Sequence, residues 1–172
     1  MIELIPFEDL KENYDLMHKW CSQEFIYEWF EQRILSLDEI TNKYKNKLRE
    51  GEQALFFIYY DKKNIGYVQI YKYKNKMYGD LSKYKNIYEL DLFIGEEEYT
   101  SKGIGTSILN YINDYIYDTY SADCIVLRPF KRNIRAIKCY LKCNYNIIDE
   151  YDGVDSLGRP ERYTVLRHNK NI

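Results

Sequence analysis

Ile87-Tyr-Glu-Leu-Asp-Leu-Phe-Ile94, then Gly95-Glu-Glu-Glu-Tyr-Thr-Ser-Lys102, then Gly103-Ile-Gly-Thr-Ser-Ile-Leu-Asn-Tyr-Ile112 is the stretch that decides the fold. Its first part is an apolar strand interrupted by acids. Its second is a polar loop. Its third opens a long helix whose apolar stripe reads Ile104, Ile108, Tyr111, Ile112 and Tyr115. Two glycines at a helix start let a ligand approach the backbone without Cβ interference. The first N–H groups of a helix have no intrahelical partner, and the helix dipole adds positive potential there. Strand, glycine loop and helix together therefore predict an anion site suited to a pyrophosphate. The stretch is not a dinucleotide fingerprint, because Ile108 stands at the third glycine of GxGxxG, and it lacks the closing Lys-Ser/Thr of a P-loop. Asp91, inside the strand, is costly to bury unless it is paired or functional.

Outward from this centre, Ile2–Pro6 reads as a strand and Asn13–Cys21 as a helix. Ser36-Leu-Asp-Glu39 is a capping box, opening a helix that Gly51 ends. Ala54–Tyr60 and Ile65–Tyr73 form a hairpin around Asp61–Asn64, and a polar, Tyr-rich loop spans Lys74–Asn86. Downstream come a buried strand, Cys124–Leu127, and a helix, Ile134–Cys143, with Ile134, Ile137, Tyr140 and Leu141 on one side. Strands Tyr145–Tyr151 and Arg162–Leu166 follow, separated by a linker from Asp152 to Pro160. No repeat or low-complexity linker divides the chain. The expectation is one α/β (α+β) domain over residues 1–172, with a mixed sheet flanked by helices.

Composition narrows the function. The 172 residues carry 25 Lys+Arg against 27 Asp+Glu, so the basic excess of a nucleic-acid-binding surface is missing. No apolar run is long enough to cross a bilayer, and no signal peptide is visible, so a cytoplasmic protein without membrane or nucleic-acid partners is expected. Four cysteines, Cys21, Cys124, Cys139 and Cys143, lack metal-site spacing; they read as reduced thiols, and no metal is expected. Tyrosine is abundant, with 20 copies, which points to half-buried rings or a polar cleft. Lys131, Arg132, Arg135 and Lys138 add cations near the same end of the sheet, suited to phosphates. His18 reads as a surface helix residue, and His168 as part of a frayed terminus.

Gly103-x-Gly105 and Asn133-x-x-Ala136-x-x-x-Tyr140 resemble the coenzyme A motifs of the GNAT superfamily, although Thr100 replaces the usual leading Gln/Arg. Ile65–Lys72, Asp91–Glu96, Ser101–Thr106 and Arg135–Ile137 extend the resemblance to aminoglycoside 6′-N-acetyltransferases, especially the acetyltransferase half of the bifunctional resistance enzyme. That resemblance implies a mostly antiparallel sheet, acetyl-CoA as donor, and a small cationic amine, the 6′-amino group of an aminoglycoside, as acceptor. The related alternatives are another acceptor (a polyamine, a siderophore precursor or a protein N-terminus) and a non-catalytic coenzyme A-binding module. It implies a monomer or homodimer.

Carried over onto this chain, the resemblance makes Asp91 the catalytic carboxylate and Tyr140 the group facing the leaving thiolate. It places Phe93, Ile94, Lys102, Gly103, Ile104, Gly105, Thr106, Asn133 and Arg135 on the cofactor. Glu89, Asp91, Trp29 and Tyr73 are the expected acceptor contacts, with Glu89 or the run Glu96-Glu97-Glu98 making the cleft mouth acidic. Two positions depart from the pattern: Leu92 replaces a Gln, and Arg128 replaces an Asp that contacts the cationic drug. A free cation at position 128 would repel an aminocyclitol by about 1 kcal/mol at ~4 Å in water, and by more in a drier cleft.

Overall fold

A computed structural model describes residues 1–170; Asn171 and Ile172, the last two of the expected domain, lie outside the described residues. Seven strands form one sheet in the order β1-β2-β3-β4-β5-β7-β6. These are β1 (Ile2–Pro6), β2 (Gln53–Tyr60), β3 (Lys63–Lys72), β4 (Ile87–Ile94), β5 (Cys124–Leu127), β6 (Asn146–Val154) and β7 (Pro160–Asn169). Every neighbouring pair is antiparallel except β4 and β5, which run parallel. The helices are α1 (Lys11–Cys21), the one-turn α2 (Glu24–Tyr27), α3 (Leu37–Glu50), α4 (Ile104–Tyr120) and α5 (Ile134–Lys142).

Side chains alternate across the sheet. Phe56, Ile58, Val68, Ile70 and Leu90 face α4 and α5, whose Ile108, Leu109, Ile112, Ile116 and Ile137 complete that core. Leu55, Phe57, Tyr67 and Phe93 face the other way, against Tyr14, Met17 and Trp20 of α1 and Ile40 and Tyr44 of α3. The Ser36 box forms on both sides: Glu39 N donates to Ser36 Oγ, and Ser36 N donates to Glu39 Oε2. A Cβ on Gly95 would lie 2.3 Å from the Trp20 ring, so α1 can dock on the end of β4 only over a glycine.

Several expectations are corrected. The actual α4 stripe turns Tyr111 outward, at 40% exposed, and buries Leu109, Ile116 and Tyr117 instead. On α5, Ile134 and Leu141 are exposed, Ile137 is buried and Tyr140 is half-buried. The expected linker Asp152–Pro160 shrinks to a tight turn, because β6 and β7 extend into one long hairpin. The Lys74–Asn86 loop is not a free excursion: Leu81, with Tyr78 and Tyr84, packs on Ile87, Cys124, Val126 and Val165 of the sheet. His168 is buried in β7, and Tyr117 OH donates to its carbonyl at 2.9 Å.

Candidate active site

The parallel pair at the sheet's centre creates the site. β4 and β5 are in register only from Ile87↔Cys124 to Glu89↔Val126. Beyond that, β4 stays with β3 as far as Gly66↔Ile94. The chain after β5 instead follows β7, where Thr164 N donates to Pro129 O and Lys131 N to Arg162 O. The sheet therefore splits. The gap is a cleft of about 560 Å³, lined on one side by Glu89 to Ile94 and on the other by Leu127 to Phe130. Because the cleft passes through the sheet, Tyr140 from the α5 side and Asp91 from the α3 side both line it.

Phe93, Ile94, Gly105, Asn133 and Arg135 line the cleft, as does Trp29. Lys102, Gly103, Ile104 and Thr106 make up the loop and first turn at its edge. Gly103 has φ 78 and open space where a Cβ would point, and no side chain caps the helix it starts. Thr106 is the first residue there whose N–H finds a carbonyl, Gly103 O at 3.1 Å. The amides before it are open donors at a helix N-terminus, which fits a pyrophosphate. The β4 edge past Glu89, without a β5 partner, fits an extended chain beside it. These residues fit coenzyme A. Asn133 Oδ1 is itself occupied as the cap of α5, accepting from Ala136 N at 3.2 Å.

Asp91 lies directly opposite Gln69 in the β3–β4 register. Its Oδ2 accepts from Gln69 Nε2 at 2.7 Å and from Tyr71 OH at 2.8 Å. Both donors are neutral, and Oδ1 makes no hydrogen bond among the described residues. Glu89 differs. It is 2% exposed. Arg128 holds it with a two-pronged grip, Nε to Oε1 at 2.7 Å and Nη2 to Oε2 at 3.0 Å. Arg128 Nη1 also donates to Tyr151 OH at 3.1 Å, and the guanidinium sits 5.6 Å from the Tyr73 ring. Burial pushes the Glu89 carboxyl up, to about 7, against the pull of Arg128. Glu89, expected as an acceptor contact, does line the cleft, but its carboxyl is held by Arg128, and Arg128 is correspondingly not the free cation that would repel an aminocyclitol. The cleft's remaining acid, Glu31, is paired with Lys43.

Tyr73 lies outside the cleft lining; its ring is buried and its hydroxyl donates to Lys76 O at 2.6 Å. Glu96, Glu97 and Glu98 are also absent from the lining; Glu96 is held by Lys19 and by Nε1 of the buried Trp20 on α1. Lys131 and Arg132 are taken by Glu150 and Glu161, leaving Arg135 as the cation of that group on the cleft wall. Burial raises the Tyr140 hydroxyl well above its ordinary range. The acceptor end is aromatic, with Trp29, Phe30, Phe130, Tyr151 and Tyr163. Ser156, in the β6–β7 turn, bridges over it by bonding Glu31 O and Gln32 Oε1.

Residues 9–153 match the family model described as an acetyltransferase (GNAT) domain. Acetyltransferase PseH of Campylobacter jejuni is 24% identical over 152 residues, covering 87% of this chain and 88% of that protein. Among solved structures, the aminoglycoside acetyltransferase AAC(6')-Ib in complex with coenzyme A superposes with a TM-score of 0.78 at 18% identity, covering 99% and 95% of the two chains. Spermidine N-acetyltransferase from Vibrio cholerae, in complex with coenzyme A and spermine, does so at 0.76 and 18%, covering 98% and 95%. With a family model spanning most of its length and a split sheet that ends in an uncapped glycine turn, the chain belongs to the GNAT acetyltransferase family, enzymes whose acetyl donor is acetyl-CoA.

Proposed function

We propose that the protein acetylates a primary amine of a small molecule, with Asp91 as the base. The observation that carries this reading is the charge inventory of the cleft: Glu31 and Glu89 are neutralised by Lys43 and Arg128, while Asp91 has only neutral partners. An alkylamine is mostly protonated at neutral pH and cannot attack a carbonyl carbon until it loses that proton. Asp91 Oδ1 is the oxygen left to orient the amine and to accept the proton, directly or through a water. When bound, acetyl-CoA supplies the thioester that the amine attacks. The unpaired edge of β4 around Phe93 offers amides to a developing negative charge. Tyr140, a weaker acid than an ordinary tyrosine here, acts by hydrogen-bonding the departing sulfur more than by giving up its proton.

The same inventory favours an acceptor with one reacting amine on a body that packs against Trp29, Phe130 and Tyr163. A polycation would need several unpaired acids. A second reading, an aminoglycoside acetylated at its 6′-amino group, rests on the fold shared with AAC(6')-Ib and on Asp91 at the centre of the cleft. Release of free thiol from acetyl-CoA, measured with kanamycin, spermidine, mono-amino sugars and arylalkylamines, separates the two. Single-amine acceptors should give kcat/KM at least tenfold above the polycations. The reverse order would establish the aminoglycoside or polyamine reading instead.

A further inference from the structure

Lys47 is a cation without an anion. It projects from α3 toward the sheet, where Nζ donates to Gln69 Oε1 at 2.6 Å and to Gln53 Oε1 at 2.9 Å. It also lies 5.9 Å from the Tyr44 ring centroid. No carboxylate comes within ion-pair distance of it among the described residues. Burial, helped by neighbouring Lys43, lowers its ammonium to about 8. Removing a charge from water with only neutral acceptors in return is unfavourable, and a methionine would fill the same space without that cost.

What the charge achieves is visible one residue further on. Gln69 Oε1 accepts from Lys47 and also from Tyr67 OH at 3.2 Å, so both of its lone pairs are engaged. Its amide nitrogen must then face β4, where it donates to Asp91 Oδ2 at 2.7 Å. Turned over, the amide would set its NH2 against an ammonium and its oxygen against a carboxylate, two repulsive contacts in place of two attractive ones. Tyr71 OH supplies the second donor to the same Asp91 oxygen. The result is a carboxylate fixed in rotation, with Oδ1 left for the amine.

We propose that Lys47 is a positioning residue for the transfer reaction, acting through Gln69 to orient Asp91. The inference rests on the reading of Asp91 as the base. The other ionisable groups around Asp91 are Tyr44 on α3, Tyr67 and Tyr71 on β3, Glu89 on β4 and Tyr140 on α5. The Lys43–Glu31 pair stands further along the same wall. Of the cations in this set, Lys47 is the one joined to Asp91 by a continuous chain of hydrogen bonds.

The experiment compares wild type, K47M, K47R and D91N with the best amine found, reading kcat, KM for both substrates, acetyl-CoA affinity and melting temperature. K47M should lower kcat about tenfold and leave both KM values and acetyl-CoA affinity within twofold, because Asp91 loses the fixed partner that sets its rotation while the binding surfaces stay intact. K47R, whose fork can still reach Gln69 Oε1, should recover most of the rate. A merely structural lysine would lower the melting temperature and leave kcat at the wild-type value. Q69M cuts the same chain from the other end and should lower kcat with KM unchanged in the same way, so the test survives if K47M does not fold. A folded K47M or Q69M with wild-type kcat, beside an impaired D91N, overturns the role of Lys47 alone. A fully active D91N overturns the base assignment and the positioning role with it.

Discussion

Glu89 and Asp91 stand two residues apart on the same face of the same strand, and the protein treats them in opposite ways. Glu89 lies where β4 is still paired with β5, across from the chain that carries Arg128, and its charge is cancelled by a two-pronged ion pair. Asp91 lies just beyond the split, opposite β3, and meets only an amide and a phenol. One position along the pleat separates a sealed carboxylate from one facing a cleft. Residue type sets neither role; the point at which two parallel strands part company sets both. Arg128, a misplaced cation when seen against the pattern of related enzymes, becomes intelligible as the counter-ion of Glu89.

The sharpest way to break this contrast is to unseal Glu89. R128A leaves a buried carboxylate without its partner, for which a loss of about 3–5 kcal/mol is the usual scale. Thermal melts at pH 8 should show a drop on the order of 10 °C for a chain of this size. A change within about 2 °C would mean that the pair contributes little and that Glu89 is free to meet substrate.

The next largest effect is a pH dependence. The Glu89 carboxyl is raised from its ordinary 4.5 to about 7. A carboxyl raised by folding favours the folded state while protonated, and that contribution disappears as pH climbs from the unfolded value through the folded one. Over that window the loss amounts to about 3 kcal/mol. E89Q cannot ionise, so denaturant melts should show it gaining on wild type between pH 5 and pH 8. A pH-independent difference would show that Arg128 holds the acid at its ordinary value. For Asp91 the expected damage is to rate: D91N should bind acetyl-CoA normally and lose at least ~100-fold in kcat, roughly 2.7 kcal/mol of barrier. Retention of the rate would leave the cleft without a base.

Much of this architecture was legible in the chain, and the reasons are local. β1, β4 and β5 fall within the expected bounds because an apolar run flanked by polar turns has few other ways to bury itself, and Ser36–Glu39 names its own helix start. Asp91 announces itself as an acid in an apolar strand. Glu89 does so equally, and nothing in the order of residues says that one is sealed and the other open. That depends on Arg128, 39 positions away, and on where β4 and β5 diverge. Gln69 and Tyr71 carried a weak signal, polar groups at alternate positions of β3 on the face shared with Tyr67. Lys47 carried none: on paper it is an ordinary lysine near the end of an amphipathic helix. Tyr73 misled for the converse reason, since a tyrosine at a strand end looks alike whether its hydroxyl meets a ligand or a neighbouring carbonyl.

The smallest predicted effect bears on the opposite wall. Tyr140 reaches the cleft from α5, on the far face of the sheet from Asp91, and its hydroxyl makes no hydrogen bond among the described residues. Burial makes it a poorer acid, so a mechanism that needed it to surrender its proton would work against the environment the fold provides. A donor that only stabilises a departing thiolate contributes the energy of one hydrogen bond to a charged group, about 1.5–3 kcal/mol. Y140F should therefore slow kcat by about tenfold, toward the lower end of that range, because water can reach the cleft and take its place. The loss should shrink with an acetyl donor whose thiol is more acidic, since a better leaving group needs less help. A loss above ~1000-fold, undiminished by the better leaving group, would instead make the Tyr140 proton part of the reaction. The two walls would then be an acid and a base of comparable weight.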